Sequence, residues 1–162
     1  MKIVVSMGIK IISFGKIDKS SYGDDINRYL KMMKPWCKVE SNTLKGKTIA
    51  NASQKESLLQ QEAMQLQKGV TSSTVVCSLA EEGKTMTTLE FSNWITEQLE
   101  TRGSIQFNFG SAYGLDENLK SESNLLLSLS PMTMPYKLAR LVFFEQLYRA
   151  LSLANNHPYH KE

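Results

Sequence analysis

The chain has 162 residues, 41% hydrophobic and 22% charged, with a formal net charge of +3. That length and balance suit one globular domain with a substantial core, so residues 1–162 read as a single domain. No apolar run approaches the roughly 18 residues that a membrane span needs, and the mild positive charge permits a polyanionic partner without arguing for one.

The opening MKIVVSMG is short and apolar, and it runs into the next strand signal without a small-residue cleavage site, which argues against a secretory leader. An equally good strand begins at Ile9, so Met7 is a second candidate start and residues 1–8 a candidate extension. Ile9 to Gly15 is a β-branched run ended by glycine and predicts a buried strand. Tyr22 to Met33 predicts a helix, with Ile26, Tyr29, Leu30 and Met33 on one face. Pro35 closes it, and Trp36 to Leu44 predicts a second strand. Lys45 to Ser53 reads as a basic loop, followed by a helix over Gln54 to Gln67.

Thr74 to Lys84 predicts a short apolar strand that breaks into an acidic turn. A helix follows over Leu89 to Arg102, with Gly103 as its stop. Ser104 to Phe109 is a fourth strand that runs into the small-residue turn Gly110-Ser111-Ala112-Tyr113-Gly114. Asp116 is an N-cap candidate for a short helix over Glu117 to Ser123, and Asn124 to Ser130 is a fifth strand.

From Pro135 a long helix runs for about twenty residues. Proline suits a first helical position because its missing N–H has no partner there in any case. Leu138, Leu141, Val142, Phe143, Phe144, Leu147, Tyr148, Leu151 and Leu153 cover more of the circumference than one core-facing stripe requires. The helix is therefore expected to be covered on two sides, by its own domain and by something else. Asn155-Asn156 stop it and Pro158 prevents a restart. The tail, residues 157–162, then carries His157, Tyr159, His160 and Lys161, unusual chemistry for a fraying end.

Strands alternating with helices predict an α/β fold with a mostly parallel sheet. Ligands of such sheets sit beyond the carboxyl ends of the strands. Three loops qualify: after Leu79, at Gly110 to Gly114, and over Leu129 to Met134. The G-x-x-x-G turn is neither a Walker loop nor a dinucleotide fingerprint; its glycines either relieve positive φ or let backbone approach a flat ligand. His157-x-x-His160 lacks a third ligand and a helix beneath it, so no metal is expected. Glu145 and Arg149 are spaced as an intrahelical ion pair, though a guanidinium in that place also suits phosphate. The two cysteines, Cys37 and Cys77, are isolated and read as buried thiols of a cytosolic protein.

Leu147-Tyr148-Arg149-Ala150 and Asn156-His157-Pro158-Tyr159-His160 closely resemble the C-terminal signature of the RlmH family, SPOUT-type methyltransferases acting on a pseudouridine of 23S rRNA. The likeness runs from Ile9 onward and includes the opening strand, the glycine turn and the LSLSPMTMP segment. It implies a SPOUT fold with a C-terminal trefoil knot, a feature that the pattern of strands and helices does not predict. It also implies S-adenosylmethionine held by Leu79, Gly110, Leu129, Ser130, Pro131, Met132, Thr133 and Met134, at the three strand-end loops already picked out.

Further, the resemblance implies a cytoplasmic homodimer in which the tail of one subunit completes the site of the other. The implied reaction is methylation of N3 of a pseudouridine in helix 69 of 23S rRNA within the assembled ribosome. Arg149, His157, Tyr159, His160 and Lys161 are the candidate catalytic residues, because an imide N3–H is a poor nucleophile until its proton is removed and the developing charge is met by a donor or cation. In one respect this chain departs from the family, which commonly shows a paired glycine where Gly110-Ser111 stands. The extra side chain either narrows the pocket or points away. The alternative to an enzyme is a SPOUT-like protein that holds RNA or ribosome without catalysis.

Overall fold

The fold comes from a computed structural model that describes residues 8–161. The question of a start at Met1 or Met7 falls on residues 1–7, outside that range. Five strands form one parallel sheet in the order β2-β1-β4-β3-β5: β1 Gly8–Phe14, β2 Lys38–Leu44, β3 Thr74–Lys84, β4 Ser104–Asn108 and β5 Leu125–Leu127. Its helices are α1 Gly23–Met33, α2 Lys55–Gln67, α3 Thr88–Arg102, α4 Glu117–Glu122 and α5 Tyr136–Ala154. The expected α/β class and alternation are both present.

A parallel sheet covered on both faces needs apolar residues at successive positions, and β1 shows why. Ile9 and Ile11 pack into the larger core with Ile26 and Met33 of α1, Phe91, Ile95 and Leu99 of α3, and Phe143, Phe144, Leu147 and Leu151 of α5. Ile12 and Phe14 turn to the other face, against Ala63 and Leu66 of α2, Leu115, and Leu119 of α4. β4 carries polar groups on that second face. Buried Gln106 donates to Leu66 O at 2.6 Å and to Asn108 Oδ1 at 2.9 Å.

Several boundaries differ from the sequence reading, each for a local reason. β2 starts at Lys38 rather than Trp36, because the Trp36 and Cys37 N–H groups both donate to Met33 O and extend the turn after α1. β3 does not break at its acidic residues. It continues through Glu81 and Glu82 to Lys84, with a register shift against β5 between Leu79 and Lys84. α3 begins one residue earlier than Leu89, because Thr87 and Glu90 form a reciprocal capping box. β5 is shorter than expected. Pro135 is the N-cap of α5, with ψ 133 in the extended range, not its first helical residue. Asp116 does cap α4, accepting from the Asn118 and Leu119 N–H groups. Gly103 ends α3 in the left-handed conformation, φ 81.

Cys37 and Cys77 are buried thiols that are not joined in a disulfide. Burial pushes the Cys37 thiol up to about 11 and the Cys77 thiol higher still, so both stay protonated and inert. No helix among the described residues is long and apolar enough to cross a membrane.

Candidate functional site

The carboxyl ends of β3, β4 and β5 leave a cavity of about 300 Å³ between the strand-end loops and the start of α5. Leu79, Ala80, Glu81 and Glu82 of β3 form one wall. Phe109, Gly110, Ser111 and Gly114 follow from the turn after β4, Leu127 from the end of β5, and Leu129, Ser130, Met132 and Met134 from the loop after it. Tyr136 and Ala139 of α5 close it.

Of the residues singled out for cofactor binding, Leu79, Gly110, Leu129, Ser130, Met132 and Met134 line this cavity, whereas Pro131 and Thr133 do not. The Thr133 hydroxyl instead donates to Glu81 Oε2 at 3.2 Å, tying the loop to β3. Pro131 is exposed. The apolar wall suits a flat ring, and Ser130 and backbone groups suit its polar edge.

Gly110 is required by contact. A Cβ there would lie 2.6 Å from Gly114 O and 3.1 Å from the Leu115 side chain, so a side chain would force open the turn that shapes the cavity. Ser111, the departure from a paired glycine, lines the cavity but turns its hydroxyl to Glu62 Oε2 at 2.7 Å. Glu62 is only 5% exposed. Burial raises its pKa, while the bond from Ser111 and the charge of Lys47 pull the other way. The extra side chain is thus used to satisfy a buried carboxyl on α2. Lys120 bonds Glu82 at 2.6 Å and Glu117 at 2.8 Å. Burial alone would lower its pKa, but those two carboxylates hold it raised. Sequence reading did not find Glu81, Glu82, Lys120 or Glu62, since nothing in their spacing marks them.

The second set of candidates lies elsewhere. α5 ends in a Schellman motif: Asn156 takes φ 55, the Asn156 N–H donates to Leu153 O, and the His157 N–H donates to Ser152 O at 2.8 Å. That reversal turns the tail back along α5. The Tyr159 hydroxyl then donates to Glu145 Oε1 at 3.1 Å, the same oxygen that accepts Arg149 Nε at 3.0 Å and Nη2 at 2.6 Å. The Arg149 guanidinium lies over the Tyr159 ring, 4.9 Å from its centroid. His157 packs its ring at 5.2 Å against Trp36, and Tyr159 its ring at 4.6 Å against Tyr148.

Burial, then a hydrogen bond with Tyr29 and the Glu145 charge, push the Tyr159 phenol up to about 12. The Glu145 bond likewise raises Arg149. His160 is half-buried and its Nδ1 has no hydrogen-bond partner among the described residues; Lys161 is exposed. The expected Glu145–Arg149 pair is therefore present, with Tyr159 as a third member, and the tail is an ordered part of the fold. Yet none of the described tail residues lines the cavity. The cavity meets the first turn of α5 at Tyr136 and Ala139, whereas the tail packs against Glu145, Tyr148 and Arg149 further along the helix. Within one chain the two halves are not brought together. Among the described residues, no cluster of three or more His, Cys, Asp or Glu is placed to hold a metal ion.

Residues 7–160 match the family model described as "Predicted SPOUT methyltransferase". Similar curated proteins carry the name ribosomal RNA large subunit methyltransferase H. The protein of Streptococcus equi subsp. zooepidemicus is 33% identical over 159 residues, covering 96% of this chain and 100% of that protein. The one from Acholeplasma laidlawii is 35% identical over 156 residues, with the same coverage of both. Among solved structures, the SpoU methyltransferase AviRb from Streptomyces viridochromogenes in complex with AdoMet aligns with a TM-score of 0.47 at 10% identity, covering 96% of this chain and 62% of that one. The chain belongs to the SPOUT methyltransferase family, in the RlmH branch whose members are named ribosomal RNA large subunit methyltransferase H.

Proposed function

We propose that the protein is a cytoplasmic, S-adenosylmethionine-dependent methyltransferase of large-subunit rRNA that methylates N3 of a pseudouridine in helix 69 of 23S rRNA on the assembled ribosome. The observation that carries this reading is the strand-end cavity, shaped by the close approach at Gly110, in a chain of this family. The cavity fits the cofactor: its apolar walls suit the adenine, Glu81 and Glu82 suit ribose hydroxyls or the sulfonium charge, and a Cβ at Gly110 would spoil the turn. Leu79, Gly110 and residues 129–134 would hold it, with Pro131 stiffening the loop from outside. When bound, the cofactor supplies an electrophilic methyl group.

The tail and Arg149 would act on the RNA. Because they lie away from their own chain's cavity, a homodimer in which each tail meets the partner's cavity accounts for both halves, and for the apolar excess of α5. The trefoil knot of the family is part of the same reading. Positioning the imide nitrogen supplies much of the rate. Tyr159, with its phenol held protonated, serves as a hydrogen-bond donor and stacking surface for a looped-out base. His160, beside Tyr159, is a second group for contact with the substrate, while His157 fixes the tail against Trp36. Arg149 and Lys161 would meet phosphate or the developing imidate charge.

The test is methyl transfer from labelled S-adenosylmethionine to ribosomes lacking the modification, with full-length protein and a chain truncated after Asn156. Label at a pseudouridine N3 with the full-length protein alone supports the reading. Equal transfer by the truncated chain removes the tail from it. Cofactor binding without transfer points to another RNA as substrate, whereas no transfer and no cofactor binding favour a non-catalytic RNA-binding protein, the reading that a pocket spoiled at Ser111 would suggest. The engagement of Ser111 with Glu62 speaks against that spoiling.

A further inference from the structure

Arg140, on the second turn of α5, is 1% exposed and is the largest fully buried side chain of the described residues. One terminal nitrogen, Nη1, donates to Ser13 Oγ at 3.1 Å and Gly15 O at 3.3 Å. Nε and Nη2 are buried without a hydrogen-bond partner. Among the described residues no carboxylate lies within ion-pair distance of it. The Tyr136 ring lies over it, with its centroid 4.8 Å from the guanidinium carbon, and is itself 43% exposed. Burial pulls the guanidinium's pKa down and Tyr136 opposes this, but arginine does not give up its proton in a protein.

A buried cation with two idle donors is costly unless an anion meets it. Arg140 does not itself line the cavity, but the site adjoins it, because Tyr136 and Ala139, four and one residues before Arg140 on α5, do. Charge is divided across the sheet ends. Arg140 sits at the end of β1, Glu81 and Glu82 on β3, and β4 lies between, so the two poles are roughly 10 Å apart at the usual strand spacing. The other cation of the cavity, Lys120, is held by Glu82 and Glu117.

We propose that Arg140 forms an anion pocket at the β1 end of the cavity and takes the carboxylate of the cofactor's amino-acid part, with Tyr136 as the side chain that moves aside. The fork of Nε and Nη2 presents two parallel donors of the kind that carboxylates accept bidentately. The positive sulfonium then falls toward Glu81 and Glu82. A phosphodiester of RNA, carrying a sugar on each side, is too bulky for a guanidinium buried this deeply. The inference rests on the cofactor reading above.

Calorimetry with the full-length protein tests it, using S-adenosylhomocysteine, its primary carboxamide, and 5′-methylthioadenosine, which lacks the amino-acid part. For wild type, replacing the carboxylate by the carboxamide is expected to weaken binding about 10- to 100-fold, as for a lost charge-assisted hydrogen bond. Arg140→Gln is expected to weaken S-adenosylhomocysteine by a similar factor, to erase the difference between acid and amide, and to leave methylthioadenosine unchanged. Equal affinity of wild type for acid and amide overturns the proposal, and needs no variant to fold. Equal loss of all probes in Arg140→Gln overturns it in favour of a structural arginine. A raised KM for ribosomes with unchanged probe binding overturns it in favour of an RNA phosphate. If wild type binds none of the three, the cofactor reading itself has failed.

Discussion

Tyr159 donates its hydroxyl to the Glu145 oxygen that also binds Arg149, so one carboxylate of α5 holds both the helix cation and the tail. Truncating the phenol with Tyr159→Phe should cost about 0.5–1.5 kcal/mol of stability. It should lower methyl transfer while cofactor affinity stays put. Denaturant unfolding and single-turnover kinetics check the two halves. A variant with lower cofactor affinity but normal turnover would show that the tail serves the pocket instead.

The same residue sets a pH dependence. Its folded-state pKa is raised from the ordinary value of 10.0 to about 12, so the neutral phenol is favoured by folding. The stability it contributes is complete below pH 10 and is lost as pH rises toward 12. Burial also raises the Tyr148 phenol, so ultraviolet titration of phenolate should show both tyrosines ionising late in wild type, with one late step missing from Tyr159→Phe.

Glu62 gives the opposite end of the scale. Burial raises its pKa above the usual carboxyl range, so its protonated form favours folding and stability falls as pH rises through the folded-state value. Glu62→Gln should flatten that decline between acid and neutral pH. Ser111→Ala leaves the carboxyl without its 2.7 Å donor and should cost about 1–3 kcal/mol near neutral pH. Thermal unfolding across pH resolves both effects, and a smaller loss for Ser111→Ala in the Glu62→Gln background would show their coupling.

Gly110→Ala places a methyl group 2.6 Å from Gly114 O. The turn must open, which should destabilise the fold by about 1–3 kcal/mol and weaken S-adenosylmethionine binding by more than about tenfold, a change of 1.4 kcal/mol or more. Calorimetry on protein that still shows a cooperative melt is the check. Unchanged affinity would remove the turn from the cofactor site.

Thr87→Ala removes the capping box that starts α3. A loss of about 1 kcal/mol of stability is expected, with methyl transfer unchanged, because neither Thr87 nor Glu90 lines the cavity or bonds the tail. Chemical denaturation beside the transfer assay separates a purely structural residue from a catalytic one.

Local signals account for what could be read before the fold was known. The buried strands of β1 and β4, the stop at Gly103, the cap at Asp116 and the pairing of Glu145 with Arg149 depend on residues a few positions apart, where side-chain periodicity and backbone preference dominate. Thr87-x-x-Glu90 is a capping signal of that kind and was legible though not used. The strand-end loops at Leu79, Gly110 and Leu129–Met134 were also within reach, because alternating strands and helices dictate where a parallel sheet opens.

Tertiary structure alone decided the rest, because it turns on contacts between distant segments. The Ser111 hydroxyl meets Glu62 of α2, which no local pattern announces. Thr133 turned from the cavity to bond Glu81 because β3 runs on through its acidic residues. Arg140 is a polar residue of an apolar helix, and only the meeting of α5 with the end of β1 buries it. The sequence by itself determined the class of fold and the places where chemistry is possible. The packing of α5 decided that the cavity and the tail stand apart in one chain: Tyr136 and Ala139 at its start line the cavity, while the tail folds back only as far as Glu145.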